Sequence, residues 1–364
     1  MPTQIRIINF GDVPYLDSQA IYHSVAHAFG EGSQDTITIM SPAQTYVSIG
    51  LFQELAKEVD VGYCRENNIP IVRREVGGGA VLLDSGQLFF HFIFNKRNLT
   101  RDIKKLYQLF LTPPIKAYKK LGLDVYYRPI NDLHIDGRKI GGTGAAEIGN
   151  SMVIVGSFMF DFNHELMARV LKVPSEKFRD KVYKNIKEYV TTIKRECTEK
   201  GLAVFSKDKI TEAFLGEVSS FLGRPLNMKE ELNQAEKEQL GIIRERLSSK
   251  DWLHKRGKSL EQKVKITADL NLYEGNYKCE GGLVRITTAV RNNRLEDVNI
   301  SGDFTLMPSN ALPLIEEKLE GVELDSSSIL EIIRQCYKDN EIRSPGIKPE
   351  DFLEAIKQVI KDKF

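Results

Sequence analysis

The sequence predicts an α+β protein with one large mixed sheet, a helical layer and a second, smaller α+β domain. The chain has 364 residues, more than the roughly 250–300 at which a single hydrophobic core usually stops growing. Short β-rich segments fill the N-terminal part, charged helical sequence follows, and strands and helices then return. We therefore expect a large domain over residues 1–253 and a small domain over residues 254–364.

The N-terminal part begins with a helix and continues with short strands. Residues Tyr15–Phe29 carry apolar side chains at helical spacing, which predicts an amphipathic helix. Gly, Pro and Asp residues separate the β-rich segments that follow, so we expect a mixed or antiparallel sheet. The predicted strands are Thr36–Met40, Thr45–Gly50, Ile69–Glu75, Ala80–Leu83, Leu88–Phe94, Asp124–Tyr127, Asn131–Ile135 and Met152–Phe160, with a helix at Asp102–Leu121.

The C-terminal half contains charged helices and then a smaller αβ segment. Helical sequence from His164 to about Leu253 predicts a helical layer, and the composition changes at DWLHKRGKSLEQ, which indicates the domain boundary. Beyond it, KVKITADL, GGLVRITTAV and RLEDVNISGDF predict three strands, with a hairpin turn at Arg291–Arg294. The last predicted helices are Ala311–Leu319, Ser328–Tyr337 and Pro349–Ile360.

The composition excludes several classes of partner. The chain has 51 Lys and Arg against 50 Asp and Glu, for a net charge of +1, so no global basic field attracts nucleic acid or anionic membranes. No apolar run approaches the roughly 20 residues of a membrane helix. The first residues contain no export signal, and we expect a cytoplasmic protein. The four cysteines lie far apart without a CxxC pair, which predicts free thiols.

The densest chemical signal is RREVGGGAV, in which Arg73 and Arg74 precede Gly77, Gly78 and Gly79. Glycine tolerates positive φ and the close approach of a ligand to the main chain. Exposed backbone amides and an arginine fork both suit a phosphate. The segment is thus predicted to be either a phosphate cradle or a glycine-rich bend beside two surface arginines. It is not a Walker loop, because no Gly-Lys-Ser/Thr follows.

The second signal is NDLHIDGRKIGGTG. Asp136 and Gly137 predict a tight hairpin turn, with Lys139 on the returning strand before a glycine-rich bend. A lysine there would lower the repulsion between an attacking carboxylate and an α-phosphate. Taken alone, the segment is explained more simply by a solvated hairpin lysine.

Together these segments resemble the lipoate–protein ligase A family, whose fold is that of the biotin and lipoyl ligases. The matching segments are YVSIGLFQ, RREVGGGAVLLDSGQLFFHF, NDLHIDGRKIGGTGAA and VGSFMFDFN. In the C-terminal part, YKCEGGLVRI, VNISGDFTLMP and ALPLIEEKLEG resemble the accessory domain of some lipoate ligases, particularly the separate archaeal-type subunit. In that family, the accessory domain is needed to form the acyl-adenylate.

The resemblance implies an enzyme that uses ATP and Mg²⁺ to convert lipoate, or octanoate, to the acyl-AMP and then acylates a lysine of an acceptor protein. Lys139 would be catalytic, contacting the lipoate carboxylate and the α-phosphate. Asp132 would lie on the nucleotide or Mg²⁺ side. The residues implied to bind ATP or lipoyl-AMP are Arg73, Arg74, Gly77, Gly78, Gly79, Ala80, Val81, Leu82, Asn131, Asp132, Gly142, Thr143, Gly156 and Ser157.

Four positions depart from the family pattern. Val76, Leu83, Gln87 and Val155 stand where the family has Ser, His, Asn and His. A branch with similar substitutions and an attached accessory domain serves lipoate-binding proteins of sulfur metabolism. The acceptor is therefore expected to be a lipoyl domain or a protein of that class. We expect a monomer, because both domains are present in one chain.

Two other functions remain open. An ATP-independent octanoyl or lipoyl transferase of this fold uses a cysteine nucleophile, but no cysteine lies between Cys64 and Cys197, the interval that holds both motifs. A non-catalytic lipoyl-binding relative is the other alternative, and the presence of Arg73, Arg74 and Lys139 argues against it.

Overall fold

The structure, a computed structural model, describes residues 4–257 and 272–361. The chain divides into two compact units. Unit 1 comprises Met1–Ser48, Asp60–Val72 and Val81–Ser248, and unit 2 comprises Ile49–Val59, Arg73–Ala80 and Ser249–Phe364. Two short N-terminal segments thus belong to unit 2. The division into domains at residue 253 stays a prediction.

A large mixed sheet forms the centre of unit 1, as predicted. Its strands are β1 (Ile5–Val13), β2 (Thr36–Pro42), β6 (Gln87–Asn95), β7 (Tyr126–Arg128), β8 (Asp132–Ile135), β9 (Arg138–Ile148), β10 (Ser151–Met159) and β11 (Leu226–Lys229). They lie in the order β11-β1-β2-β6-β10-β9-β8-β7. Strand β1 pairs in parallel with β2 and β11, whereas the other pairs are antiparallel.

A separate three-stranded sheet carries the segments on either side of the glycine triplet. Its strands are β3 (Tyr46–Ile49), β4 (Ile71–Arg73) and β5 (Val81–Leu83), in the order β4-β3-β5. Strands β3 and β5 are antiparallel, with Tyr46 opposite Leu83 and Ser48 opposite Val81.

Helices cover the large sheet, and most of the predicted helical layer is present. The helices of unit 1 are α1 (Asp17–His27), α3 (Val61–Glu66), α4 (Ile103–Lys120), α5 (His164–Val170), α6 (Glu176–Tyr189), α7 (Ile193–Glu199), α8 (Lys207–Leu222) and α9 (Gln234–Ser248). Helix α1 packs on α9, and α4 packs on α8. Phe90, Phe92, Phe158 and Phe214 form an aromatic cluster among fully buried side chains of this unit. Strand β11 interrupts the stretch that was predicted to be helical.

Unit 2 contains a three-stranded antiparallel sheet and short helices. Its strands are β12 (Leu272–Cys279), β13 (Gly282–Arg291) and β14 (Arg294–Gly302), and its helices are α2 (Leu55–Glu58), α10 (Lys250–Leu253), α11 (Ala311–Leu319), α12 (Ser326–Asp339) and α13 (Pro349–Lys361). Asn292 and Asn293 have φ of 48° and 62° in the β13–β14 turn, which confirms the predicted hairpin. The predicted strand KVKITADL lies outside the described residues.

The sequence did not predict two strands that position the chemistry. Strand β1 was not predicted, and β9 runs straight through Gly141–Gly144, where a bend was expected. Strands β8 and β10 pair with the two edges of β9, so ladder hydrogen bonds hold these glycines extended. Within residues 4–257 and 272–361, no helix is both long and apolar enough to cross a membrane.

Candidate functional site

Lys139 lies near the start of β9, just after the predicted hairpin turn. Asp136 and Gly137 form that turn with φ of 47° and 79°. The Lys139 side chain is 30% exposed, and its Nζ lies 2.7 Å from Asp132 Oδ1 on the neighbouring strand β8. Lys139 is thus partly exposed, but its ammonium is held by a carboxylate of the adjacent strand.

Gly142 makes room for that lysine. A Cβ on Gly142 would lie 3.2 Å from Lys139 Cε and 3.3 Å from Lys139 Nζ. Gly142 pairs with Asp132 across the β8–β9 ladder, so the lysine folds back over the strand pair that carries its carboxylate partner. The absence of a side chain here allows the ammonium to occupy this position.

Asn131 and Thr143 bind each other. The Thr143 amide and hydroxyl donate to Asn131 O at 3.1 and 2.6 Å. The Asn131 side-chain amide donates to Thr143 O in return. These bonds close the β8–β9 ladder beside Asp132, so both residues have a structural role in addition to any contact with nucleotide.

Gly156 and Ser157 lie on β10, next to the lysine strand. Gly156 is paired with Thr143, and a Cβ at Gly156 would lie 2.4 Å from Phe90 Cζ. The glycine therefore accommodates the Phe90 ring of the aromatic cluster. Because successive side chains alternate along a strand, half-buried Ser157 projects from the opposite face.

Arg73 is buried and binds main-chain carbonyls. Its side chain is 0% exposed and donates to the carbonyls of Gly50, Leu51, Gln53, Trp252 and Leu253 at 2.7–3.1 Å. The Trp252 indole donates back to Arg73 O at 2.8 Å. Burial lowers the pKa of the Arg73 guanidinium to about 10. Arg73 therefore holds the start of the glycine-rich segment against residues of unit 2, and it is not a surface arginine.

Arg74 donates hydrogen bonds to the main chain of the glycine triplet. It is 8% exposed, and its Nη2 donates to Gly77 O and Gly79 O, each at 2.8 Å. Gly78 has φ of 91°, a left-handed conformation that favours glycine. The arginine thus shapes the loop through the same donors that the sequence assigned to a phosphate.

The triplet also packs tightly against the strand end of unit 2. The Gly78 amide donates to Phe304 O at 3.0 Å. A Cβ on Gly77 would lie 2.4 Å from Phe304 O and 2.8 Å from Thr305 Cα, which only glycine avoids. By contrast, the nearest atom to a Cβ on Gly79 is Asp303 Cβ at 3.6 Å, an ordinary contact. Close main-chain approach therefore explains Gly77 but not Gly79.

The predicted residues thus form groups within the two units. Three adjacent strands of unit 1 bring together Asn131, Asp132, Lys139, Gly142, Thr143, Gly156 and Ser157. Unit 2 contains Arg73, Arg74, Gly77, Gly78, Gly79 and Ala80. Val81 and Leu82 lie on β5, where Leu82 is buried and its carbonyl accepts from Gln87 Nε2 at 3.0 Å.

Sequence reasoning missed three residues that lie beside Lys139 and Asp132. Tyr189 Oη lies 3.4 Å from Asp132 Oδ2 and 3.3 Å from His134 Nε2. The Thr191 amide donates to Lys139 O at 2.8 Å. His134 lies within the matched segment NDLHIDGRKIGGTGAA. Tyr189 ends helix α6 and Thr191 follows it, far along the chain, and no spacing pattern indicates either residue.

The cysteines are poorly suited to nucleophilic catalysis. All four are free thiols, as predicted. Burial raises the pKa of Cys64, on helix α3, to about 11, and burial also raises the pKa of Cys197. A thiol nucleophile reacts as its thiolate, which a raised pKa disfavours.

No preformed magnesium site is found around Asp132. In the part of the chain that the structure describes, no three His, Cys, Asp or Glu side chains are grouped so as to hold a metal ion. Lys139 and Tyr189 already contact the two oxygens of Asp132. Both carboxylate oxygens of Asp132 are therefore already engaged by donors of the protein.

Family comparisons cover both parts of the chain. The profile "Lipoyl protein ligase A/B catalytic domain" matches residues 14–218. The profile "Bacterial lipoate protein ligase C-terminus" matches residues 272–356.

Individual relatives agree with these matches. The chain is 30% identical over 296 residues to lipoate–protein ligase 2 of Staphylococcus aureus, covering 79% of this chain and 81% of that protein. It is 29% identical over 319 residues to the lipoate–protein ligase LplJ of Bacillus subtilis, covering 86% and 88%. Among solved structures, it is similar to the bipartite lipoate–protein ligase of Thermoplasma acidophilum, described with its E2 lipoyl domain. That match has a TM-score of 0.61 and 25% identity, and it covers 69% of this chain and 96% of that one.

Proposed function

The chain belongs to the lipoyl protein ligase A/B family and is a lipoate–protein ligase, and from this premise we propose how its residues carry out the reaction. The observation that carries the proposal is the position of the Lys139 ammonium, 2.7 Å from Asp132 and directly over Gly142. A lysine preorganised in this way supplies a fixed positive charge where anionic groups must meet.

In the first proposed step, lipoate is activated with ATP. A carboxylate oxygen of lipoate attacks the α-phosphorus, and the bond from that phosphorus to the α–β bridging oxygen breaks. Pyrophosphate leaves with the electron pair, and lipoyl-AMP remains. Both reactants are anionic, so Lys139 would act by offsetting the repulsion between the carboxylate and the α-phosphate.

Arg74 and the glycine triplet are proposed to bind the phosphates. In the structure, Arg74 donates to the carbonyls of Gly77 and Gly79. An incoming phosphate would compete for these donors, because charge-assisted bonds to an anion are stronger than bonds to neutral carbonyls. Arg73 is proposed to hold the segment in place rather than to contact ATP, since its donors are used by five carbonyls within the buried core of unit 2.

In the second proposed step, the acyl group moves to a protein. The neutral amine of an acceptor lysine attacks the acyl carbon of lipoyl-AMP, and the bond from that carbon to the phosphate oxygen breaks. AMP leaves with the electron pair, and the attacking amine loses a proton. Lys139 would again contact the phosphate, now as the leaving group, so the same residue serves both steps.

We propose a lipoyl-domain protein as the acceptor. The support is the bipartite archaeal ligase, which was described with its E2 lipoyl domain. A lipoate-binding protein of sulfur metabolism is the other candidate, motivated by Val76, Leu83, Gln87 and Val155 at polar family positions. The preference for lipoate over octanoate, the contact of Asp132 with Mg²⁺ and the monomeric state stay predictions.

The test is acylation of purified acceptors by the full-length chain. An unmodified E2 lipoyl domain and an unmodified lipoate-binding protein of sulfur metabolism are incubated separately with lipoate, Mg²⁺ and ATP. Intact mass spectrometry then measures the gain of one lipoyl group. We expect ATP-dependent modification of the lipoyl domain, abolished when its acceptor lysine is replaced by alanine.

Two further reactions separate the competing functions. Chemically prepared lipoyl-AMP should support transfer without ATP. Modification by a lipoyl or octanoyl carrier protein without ATP, combined with failure of the ATP reaction, would instead identify an acyltransferase. Failure of every reaction would contradict the proposed catalytic roles.

A further inference from the structure

The segment at the end of helix α6 lies outside the sequence motifs. Its main chain contacts Lys139, and one of its side chains contacts Asp132. We propose that Tyr189, the last residue of α6, is a positioning residue for Lys139 and acts through Asp132. The proposal deepens the function proposed above and rests on it, because it takes Lys139 as the residue that contacts the reacting groups.

The main chain after α6 is fixed to strand β9 at the lysine itself. Val190 forms a parallel bridge with Lys139, and the Thr191 amide donates to Lys139 O at 2.8 Å. Thr191 is buried, and its hydroxyl donates to Glu196 Oε1 at 2.5 Å. Glu196 in turn pairs with Arg138 at 2.7 Å. The end of α6 therefore has a defined register relative to the two basic residues at the start of β9.

The side chain of Tyr189 acts on the carboxylate that holds the lysine. Its hydroxyl donates to Asp132 Oδ2 at 3.4 Å and lies 3.3 Å from His134 Nε2, so it is shared between them. Lys139 Nζ lies 2.7 Å from the other carboxylate oxygen, Oδ1. Because each oxygen has its own partner, rotation of the carboxylate is restrained and Oδ1 remains directed at the lysine.

The surroundings keep the Tyr189 hydroxyl in its donor form. Partial burial raises the pKa of the phenol, and the Asp132 carboxylate raises it further. The ring packs edge-on against His134, with centroids 5.5 Å apart. Tyr189 is also 42% exposed, so phenylalanine should fit here, retaining the ring contacts and removing only the hydroxyl.

Positioning matters for lysine more than for a shorter side chain. Lys139 carries its charge on a flexible four-carbon chain, and ordering such a chain costs conformational entropy. A carboxylate held from its far side by Tyr189 limits the positions that the ammonium samples before substrate binds. The expected consequence is faster chemistry at saturating substrate, without a change in substrate affinity.

The first test measures the acetylation rate of Lys139 directly, without any substrate. Full-length protein and Tyr189→Phe are acetylated with the N-hydroxysuccinimide ester of acetic acid at one pH, and peptide mass spectrometry follows Lys139. Lys200, paired with Asp136 at 2.5 Å, provides the internal reference. Loss of the hydroxyl should accelerate labelling of Lys139 relative to Lys200 by about two- to fivefold, the scale of a weakened exposed ion pair.

Two variants show whether the effect passes through Asp132. Tyr183→Phe, on the same helix, is the matched control and should label like wild type. In an Asp132→Asn background, Tyr189→Phe should add no further acceleration, whereas a general loosening of α6 would still add one. Unchanged or slower labelling of Lys139 in Tyr189→Phe would overturn the proposal.

Kinetics provide the second test. In lipoate-dependent exchange of pyrophosphate into ATP, Tyr189→Phe should lower kcat by about tenfold, with KM for ATP and lipoate nearly unchanged. Full kcat in this variant would overturn the positioning role and leave the proposed ligase reaction standing. An inactive wild type would instead contradict the proposed function, while the labelling experiment would still test the contact.

Discussion

A Cβ placed on Gly142 would lie 3.3 Å from Lys139 Nζ, so the two residues occupy complementary space on strand β9. The lysine crosses the glycine to reach Asp132 Oδ1 at 2.7 Å. The position of the Lys139 ammonium therefore depends on the lack of a side chain at Gly142 as well as on the Asp132 carboxylate. Changing the glycine displaces the ammonium without removing it.

Gly142→Ala should slow acyl-adenylate formation and leave the fold intact. The added methyl group would push the end of a flexible side chain by a few tenths of an ångström. We expect kcat for pyrophosphate exchange to fall about 3- to 30-fold, because small misplacements of a catalytic group are costly. Gly216→Ala, where a Cβ meets nothing within 4 Å, is the control and should exchange at the wild-type rate. Equal rates for both variants would show that the fit between glycine and lysine is unimportant.

Arg73→Lys should destabilise the protein more than it affects ATP binding. Lysine has three donors and no planar fork, so several of the buried carbonyls that Arg73 serves would lose their partner. The free energy of unfolding in urea should fall by about 2–4 kcal/mol. A wild-type unfolding free energy with a raised KM for ATP would instead assign Arg73 to the phosphates.

Arg74→Lys should show the opposite pattern. Its Nη2 binds two loop carbonyls, and the proposed ligand is a phosphate that prefers the arginine fork. We expect KM for ATP to rise by about tenfold in pyrophosphate exchange, with a loss of stability smaller than that of Arg73→Lys. An unchanged KM would remove Arg74 from the phosphate site.

Gly77→Ala and Gly79→Ala should differ, although the two glycines belong to one triplet. A Cβ on Gly77 would meet backbone atoms at 2.4 and 2.8 Å, which cannot move aside as a side chain can. We expect Gly77→Ala to lower the free energy of unfolding by about 1–3 kcal/mol and to impair pyrophosphate exchange. Gly79→Ala has an ordinary contact at 3.6 Å and should be much milder. Similar losses in the two variants would contradict the packing described for this loop.

His91 should contribute to acid destabilisation of unit 1. Burial lowers its pKa from 6.5 to about 3, with nearby His23 adding to the effect. Between about pH 3 and pH 6.5, His91 is protonated in the unfolded chain but not in the folded protein. Its contribution to stability is therefore present above about pH 6.5 and is lost as the pH falls. The slope is at most about 1.4 kcal/mol per pH unit. Urea unfolding at several pH values should give a shallower acid slope for His91→Gln than for wild type, with His254→Gln on the surface as the control. Parallel slopes for wild type and His91→Gln would refute this assignment.

Features set by local chemistry could be predicted from the sequence. The turn at Asp136 and Gly137 and the turn at Asn292 and Asn293 depend on residues that tolerate positive φ, and both are present. Short β-rich segments separated by Gly, Pro and Asp likewise predicted most strands of the mixed sheet. The pairing of Lys139 with residues of the preceding strand follows from the hairpin at Asp136 and Gly137.

Features set by distant partners could not be predicted. Arg73 ends strand β4 shortly before three glycines, which suggests a ligand, but its role depends on carbonyls near residues 50 and 252. Strand β9 is extended through its glycines because two other strands pair with it. Tyr189 reaches Asp132 only because the main chain after α6 bridges Lys139. The contacts of Arg73 and Tyr189 join residues far apart in sequence, for which one chain carries no periodic signal.

The central claim is that Lys139 serves acyl-adenylate chemistry, and exchange of labelled pyrophosphate into ATP tests it most directly. The full-length chain is assayed with Mg²⁺, with lipoate or octanoate and without an acceptor, beside Lys139→Ala. Circular dichroism and urea unfolding confirm that the variant folds. In the wild type we predict exchange that depends on added lipoate or octanoate. In Lys139→Ala we predict no exchange above background. Wild-type exchange rates in the folded variant would contradict the account.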